Sequence, residues 1–335
     1  AYEDFKLCLD ESLAGHQDYL FNYYHEQAGL KDLLEALKSR LIADDIYVNS
    51  DQIVITSGSQ QALYILSQMD FGNGGHKILL EQPTYHRMNQ LVNRQNLAYE
   101  TINRGFDGLD FDRLEEYFKS GQIKFFYTIS RYSNPLGLSY SASEKEKLAQ
   151  LANQYNVYIV EDDYMGDFSD SKNLPIHYYD TQDQTIYIKS FSMALFPGLR
   201  LGSLVLPPNL KPTFLSHKGL IDYDTNLIMQ KALSLYIDNG MYLTNKKRLL
   251  ARKKEEEASL KTLMTQSPLL PHLTLTHDGI LLELGQVQSL AALKHSGLPL
   301  DFFEAAYITS CPYQLAKIKS ADVANVLPKL TPFFE

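Results

Sequence analysis

The amino-acid sequence predicts an α/β fold: a mostly parallel sheet with helices on both faces, followed by a smaller α+β unit. Two observations carry this. From about residue 29, short apolar, β-branched runs alternate with segments of helical period. Strands that are apolar throughout need cover on both faces, which is the habit of parallel sheets. After residue 226 the pattern changes to a long helical stretch and then short strands. The expected organisation is an N-terminal segment or interface arm over 1–42, a large unit over 43–226 and a small unit over 227–335.

Each element has its own signal. Leu33 to Ile42 places apolar residues at helical spacing. "QIVITSG" is a β-branched run ending in Ser-Gly, and "SQQALYILSQM" after it reads as a helix. "KILLEQPTY" is a strand broken by Pro83. "IKFFYTIS" and "VYIVEDDY" are buried strands flanking "SASEKEKLAQLANQY", a capped helix. "QTIYIKSFS" and "GSLVLPP" are two more strands. "MQKALSLYIDNGMYLTNKKRLLARKKEEEASLKTLM" is largely helical. "HLTLTH" and "GILLEL" are short strands, and two helical segments close the chain. The basic stretch with Lys246, Lys247, Arg248, Arg252, Lys253 and Lys254 is balanced by Glu255 to Glu257 and reads as a solvated helix face.

Composition narrows the function. The 335 residues are 44% hydrophobic and 21% charged, ample for a large core, and the net charge is −9. An acidic surface repels phosphate backbones, so this chain is a poor candidate for gripping nucleic acid itself. Two cysteines, Cys8 and Cys311, lie far apart without metal-ligand spacing. They exclude a disulfide framework and fit a reducing cytoplasm. No apolar run reaches membrane-spanning length, and the first residues lack a signal-peptide pattern. The chain begins without Met, as a piece of something longer would.

In open α/β sheets ligands gather at the carboxyl ends of the strands, and five such ends hold residues capable of chemistry. Ser57-Gly58-Ser59-Gln60 precedes a helix, as a phosphate seat or as an ordinary Ser cap after a Gly turn. Tyr85 ends the "EQPTY" run, where its ring either stacks on a planar ligand or packs in the core. Asn134, in "RYSNPLG", either reaches a ring oxygen or belongs to a plain turn. Glu161-Asp162-Asp163-Tyr164 closes an apolar strand, either facing a cationic ring nitrogen or forming a solvated acidic loop. Ser190 and Arg200, in the Ser-x-x-x-x-x-Pro-Gly-x-Arg-x-Gly frame, can hold an anion.

Together and in this order, these residues resemble the fold type I pyridoxal-phosphate (PLP) enzymes of the aminotransferase class I/II family, over about Gly29 to Gly202. "DQIVITSGSQQAL", "EQPTY", "VEDDY", "FPGLRLGSLVLP" and "YDTNLIMQKALSLYIDNGMY" look like the aminotransferase-like domain of MocR-type GntR regulators. The resemblance implies a cofactor site of Ser57, Gly58, Ser59, Gln60, Tyr85, Asn134, Asp162, Tyr164, Ser190 and Arg200. Within it, an Asp keeps the ring nitrogen protonated. It further implies a cytoplasmic homodimer, a small-molecule effector (an amino acid or PLP-like compound), and DNA contact only through a winged-helix domain absent from this chain. Tyr23 and Tyr24 occupy the region from which the family sends a Tyr to the neighbouring subunit's phosphate site; ordinary packing of that segment is the alternative.

The departures from the family matter as much. Met193 stands at the Schiff-base lysine position, and a thioether can neither bond the cofactor nor shuttle a proton. Lys189 lies four residues earlier, within the strand. The "CPYQLAKI" stretch lacks the family's carboxylate-clamping Arg, and Lys317 is its nearest cation. Ser130, where relatives often carry Pro, is a minor change. Three readings follow: a regulator's effector domain binding PLP or a relative non-covalently, an aminotransferase whose lysine was replaced, or a free-standing pseudo-enzyme scaffold. No catalytic residue and no metal site is expected.

Overall fold

The computed structural model describes residues 1–22 and 26–334. The large sheet comprises β1 (Ile53–Thr56), β2 (Lys77–Gln82), β3 (Tyr99–Gly105), β4 (Gly108–Leu109), β5 (Ile123–Thr128), β6 (Tyr158–Asp162), β7 (Thr185–Ser190) and β8 (Gly202–Val205). Their spatial order is β1-β8-β7-β6-β5-β2-β3-β4. The run from β3 through β2, β5 and β6 to β7 is parallel. β8 is inserted antiparallel between β1 and β7, and β4 adds an antiparallel edge.

Covering this sheet are α1 (Tyr2–Gly15), α2 (Gln17–Phe21), α3 (Lys31–Ala43), α4 (Gly58–Gln68), α5 (His86–Arg94), α6 (Phe111–Lys119), α7 (Ala142–Tyr155), α8 (Ile176–Tyr179), α9 (Lys211–Lys218) and α10 (Leu227–Asp238). Strand alternation decides which helix meets which residue. Val54, Leu80, Phe125, Val160 and Ile188 pack toward Leu63 and Leu66 of α4 and Phe214 of α9. On the other face Ile55 and Tyr187 meet Leu37 of α3 and Leu233 of α10, while Leu79, Phe126 and Ile159 meet Phe118 of α6 and Leu148 of α7. The capped helix has the cap its sequence announces: Ser141 accepts from the Glu144 backbone, and the Glu144 side chain accepts from the Ser141 N–H.

The smaller unit is an antiparallel sheet of β9 (Leu273–Leu275), β10 (Gly279–Glu283) and β11 (Leu315–Lys319), in the order β11-β10-β9. α11 (Met241–Gln266), α12 (Leu290–Lys294) and α13 (Val323–Leu330) pack with it. α10 belongs to the core of the large sheet, and the C-terminal end of α11, at Leu260 and Met264, to that of the small one. Among the described residues no helix is long and apolar enough to cross a membrane.

Some elements lie outside the sequence expectation. β3 ("YETINRG") and β11 ("LAKIK") were not expected as strands, because each carries polar residues whose partners are distant in sequence. The basic helix face also divides. Lys247, Arg248, Arg252 and Lys254 are exposed. Lys246 and Lys253 turn inward, Lys246 to Asp44 at 2.8 Å and Lys253 over the Tyr132 ring at 4.1 Å, because a carboxylate and an aromatic face wait there.

One buried ion pair holds β2, β3 and the loop after β5 together. Arg104 Nη1 reaches both Glu81 oxygens, at 3.1 and 3.2 Å, and also the Ile129 carbonyl at 2.7 Å. Thr128 and Tyr140 donate their hydroxyls to Glu81 Oε2 at 2.7 and 2.9 Å. Glu81→Leu strands the Arg104 charge in the core. We expect a loss of about 3–5 kcal/mol in urea unfolding, with part of it recovered in Glu81→Leu/Arg104→Leu. A loss under ~1 kcal/mol would show that the pair does not hold these elements.

Candidate functional site

The first half of the site follows from strand register. Thr56 pairs with Gly202, and Gly202 with Ser190, so the ends of β1, β8 and β7 lie side by side. Gly58 opens α4 at φ +81°, a left-handed conformation that suits glycine. A Cβ on Gly58 would sit 2.8 Å from Arg200 Nη2, and one on Gly202 would sit 2.9 Å from the Gly58 carbonyl carbon. The Arg200 guanidinium therefore lies directly over the N-terminus of α4. Among the described residues Arg200 has no carboxylate partner. Ser59 and Gln60 occupy the first turn, half-buried. The Ser57 hydroxyl donates to Asp222 Oδ2 at 3.3 Å, and the Ser190 hydroxyl accepts from Ser192 N at 3.3 Å. Free helix-terminal N–H groups, hydroxyls and an unpaired guanidinium suit an anion.

Tyr85 bridges to the second half. Its hydroxyl donates to Gln60 Oε1 at 3.4 Å. Burial raises its pKa first, the Asp162 carboxylate raises it further, and Arg87 and Arg200 oppose. The ring thus stands within electrostatic reach of both Arg200 and Asp162. Asp162 ends β6 buried, accepting a hydrogen bond from Tyr127 Oη at 2.6 Å. Burial pushes its carboxyl up to about 6, against the pull of the Tyr127 hydrogen bond and with a further push from Asp163. Among the described residues no cation pairs with it. An acid held this way suits a cationic partner from outside the chain.

The remaining expected residues are less open. The Tyr164 hydroxyl donates to the Tyr132 carbonyl at 2.9 Å and lies 2.8 Å from His277 Nε2. Burial, helped by Lys317 and Lys253, lowers His277 to about 4, so its imidazole is neutral. Asn134 lies on the loop after β5, half-buried, and its side chain makes no hydrogen bond among the described residues. Gly137 closes that loop at φ +73°, and a Cβ there would meet His277 Nδ1 at 3.0 Å. Lys317 is committed, with Nζ donating to the Pro135 carbonyl at 2.9 Å and ion-paired to Asp278. Lys189 is buried in β7 and ion-paired to Asp167 at 3.0 Å. Met193 is 50% exposed and lines a cavity of about 480 Å³ with Met165, Lys253 and His277. Tyr23 and Tyr24 lie outside the described residues.

Sequence reasoning missed Tyr127, Asp222 and His277. Tyr127 carried a usable signal, a hydroxyl near the end of a strand that is buried throughout. Asp222 and His277 carried none, because each meets the site only through tertiary packing.

Comparison with known proteins gives a consistent picture. The family model "Aminotransferase class I and II" matches residues 12–255. The HTH-type transcriptional regulator YcxD of Bacillus subtilis is 40% identical over 260 residues, covering 77% of this chain and 58% of that protein. Aromatic-amino-acid aminotransferase 1 of Thermococcus litoralis is 32% identical, covering 58% of this chain and 48% of that protein. The chain thus spans about half the length of these curated relatives. The multiple substrate aminotransferase of Thermococcus profundus superposes with a TM-score of 0.87 at 24% identity, covering 100% of this chain and 87% of that one. The shared fold is that of PLP-dependent aminotransferases.

The raised Asp162 pKa sets a pH dependence. A folded-state pKa of about 6 against an ordinary 3.8 means that the folded chain holds the proton more tightly. Stability therefore falls as pH rises through this window, by about 3 kcal/mol in all. Asp162→Asn should be more stable than the parent by up to that amount at pH 8 and equal to it below about pH 4. Urea unfolding at both pH values measures the difference, and an equal or lower stability of the variant at pH 8 would contradict the buried-acid assignment.

Proposed function

The chain belongs to the aminotransferase class I and II family, and from that premise we propose that it is the effector-binding and dimerisation domain of a MocR/GntR-type transcriptional regulator, holding PLP or a related vitamin B6 compound without a covalent bond. One observation carries the reading: the Arg200 guanidinium over the N-terminus of α4 and the buried, cation-free Asp162 carboxyl both stand within electrostatic reach of the Tyr85 ring, a setting fit for a phosphate and a cationic ring. The fit is physical. The Gly58 backbone leaves room against Arg200 that a Cβ would fill, Gly202 lets β8 approach the Gly58 backbone, and the Asp162 carboxyl, without a cationic partner among the described residues, awaits a cation at the other end. In this reading Ser57, Gly58, Ser59, Gln60, Ser190 and Arg200 hold the phosphate, and Tyr85 packs on the ring. Asp162 meets the ring nitrogen, and Asn134 and Tyr164 stand on the side of the ring hydroxyl. When bound, such a cofactor supplies an electron sink for amino-acid chemistry.

Met193 occupies the place of the Schiff-base lysine, so no amine stands there to bond the cofactor or carry a proton. Lys189 does not replace it, since its strand position points it to the other face and to Asp167. Nor does Lys317 replace the missing carboxylate clamp, because Asp278 and Pro135 engage it. The regulator reading rests on relatives named HTH-type regulators. DNA contact in it belongs to a winged-helix module outside these 335 residues, and the domain pairs as a homodimer. The N-terminal division at residue 42 remains part of this proposal, while the division expected at 226 falls later, since α10 packs in the core of the large sheet. An aminotransferase reading draws on the relatives bearing that name, but Met193 stands against it.

Two tests follow. After mixing with PLP, borohydride should fix no cofactor to any lysine, whereas Met193→Lys should gain a borohydride-stable adduct at residue 193. An adduct on the parent chain refutes the loss of the anchor, and failure of Met193→Lys to take up PLP refutes the cradle.

Calorimetric titration with pyridoxamine phosphate and with unphosphorylated pyridoxamine tests the phosphate seat. A charge-assisted contact is worth roughly 1.5–3 kcal/mol, so Arg200→Ala should weaken the phosphorylated ligand by about one to two powers of ten. The unphosphorylated ligand should be unaffected. An equal loss for both ligands would remove Arg200 from the phosphate seat.

A further inference from the structure

A second cavity, of about 610 Å³, lies behind the large sheet among the α3–β1 connection, the loop after β5, the segment after β6, β7 and α11. Strand alternation separates it from the cradle. Asp162 and Ser190 belong to the face covered by α4, and their chain neighbours Asp163 and Lys189 belong to the opposite face. Among its lining residues are Lys189, Arg131, Lys246 and Lys253, and none of the residues assigned to the cradle.

Cations predominate in its inner part. Asp163 satisfies Arg131, and Asp44 serves both Arg40 and Lys246 at 2.7 and 2.8 Å. Asp167 lies 3.0 Å from Lys189, but out of line for a hydrogen bond, so its buried Oδ1 remains without one. Lys189 is itself 3% exposed, and among the described residues no acceptor is aligned with its ammonium. Among the described residues Lys253 has no carboxylate in ion-pair contact; it rests on the Tyr132 ring and reaches the Phe168 carbonyl at 3.4 Å. Burial lowers the Lys253 pKa, against the opposing pull of Glu257, Asp278 and Glu256, none of which is in ion-pair contact with it. Five cations (Arg40, Arg131, Lys189, Lys246 and Lys253) thus face three carboxylates (Asp44, Asp163 and Asp167). A buried ammonium with unspent donors needs an acceptor.

We propose that this cavity is a separate binding site for a small monocarboxylate, whose carboxylate oxygens take the unspent donors of Lys189 and Lys253. The outer wall sets the limit of one charge. Asp45, Asp170 and Glu257 line the cavity with Lys254 as the opposing cation, and repel a ligand with a second anionic group. The site does not depend on the cradle being a cofactor site, since no residue assigned to the cradle lines it.

The test uses butyrate as the probe, followed by saturation-transfer NMR and calorimetric titration on the parent chain, Lys189→Met, Lys253→Met and Arg200→Ala. Thermal unfolding checks that each variant is folded. Butyrate should bind the parent saturably, bind Arg200→Ala equally well, and bind both lysine variants at least about tenfold more weakly. Succinate should bind less well than butyrate. If Lys189→Met does not fold, Lys253→Met decides alone. Absence of saturable binding to the parent overturns the proposal. So does binding that survives loss of the lysines, binding lost with Arg200, or a preference for succinate.

Discussion

The antiparallel insertion of β8 between β1 and β7 is the constraint on which the site depends. It sets Gly202 beside both Thr56 and Ser190. Residues nearly one hundred and fifty positions apart in the chain thereby share one strand-end ledge. Arg200 lies two residues before the start of β8 and adopts a left-handed backbone, φ +51°. Its guanidinium is thus delivered over the first turn of α4, where Gly58 alone leaves room. Helix terminus, hydroxyls and guanidinium converge because of a register, and a slip of one residue would turn Ser190 to the other face.

The same alternation explains how one strand end serves two compartments. Asp162 is buried with a hydroxyl and no cation, so its proton is held unusually well. Asp163, one residue on, is buried beside Arg131 and held below the ordinary carboxylate range, with the Tyr187 hydroxyl also donating to it. Neighbouring acids in one strand thus have opposite electrostatic fates. Partner chemistry decides between them, since both are fully desolvated. Lys189 and Ser190 divide in the same way. The face behind the sheet pairs most of its charges and leaves donors of Lys189 and Lys253 unspent, whereas on the α4 face Asp162 is buried without a cationic partner among the described residues.

Much of this was legible in the sequence. The apolar runs of β1, β2, β5, β6 and β7 announce themselves because both faces are buried, and the Ser141/Glu144 capping box marks α7. The strand-end residues Ser57, Tyr85, Asp162, Ser190 and Arg200 stood out because polar groups there have no packing role. What escaped notice depends on distant partners. β3 carries Arg104, whose burial makes sense only beside Glu81. β11 carries Lys317, whose burial requires Asp278. Lys246 and Lys253 looked solvated because Asp44 and Tyr132 lie far away in the chain. His277 is an ordinary hairpin residue until packing sets it on Tyr164.

A crystal structure of the chain grown with PLP tests the central claim most directly. The phosphate should lie between the N-terminus of α4 and Arg200, with the ring against Tyr85 and its nitrogen at Asp162. No continuous density should join the cofactor to a lysine. A cofactor bonded to a lysine, or one seated in the cavity behind the sheet while the cradle stays empty, would contradict it.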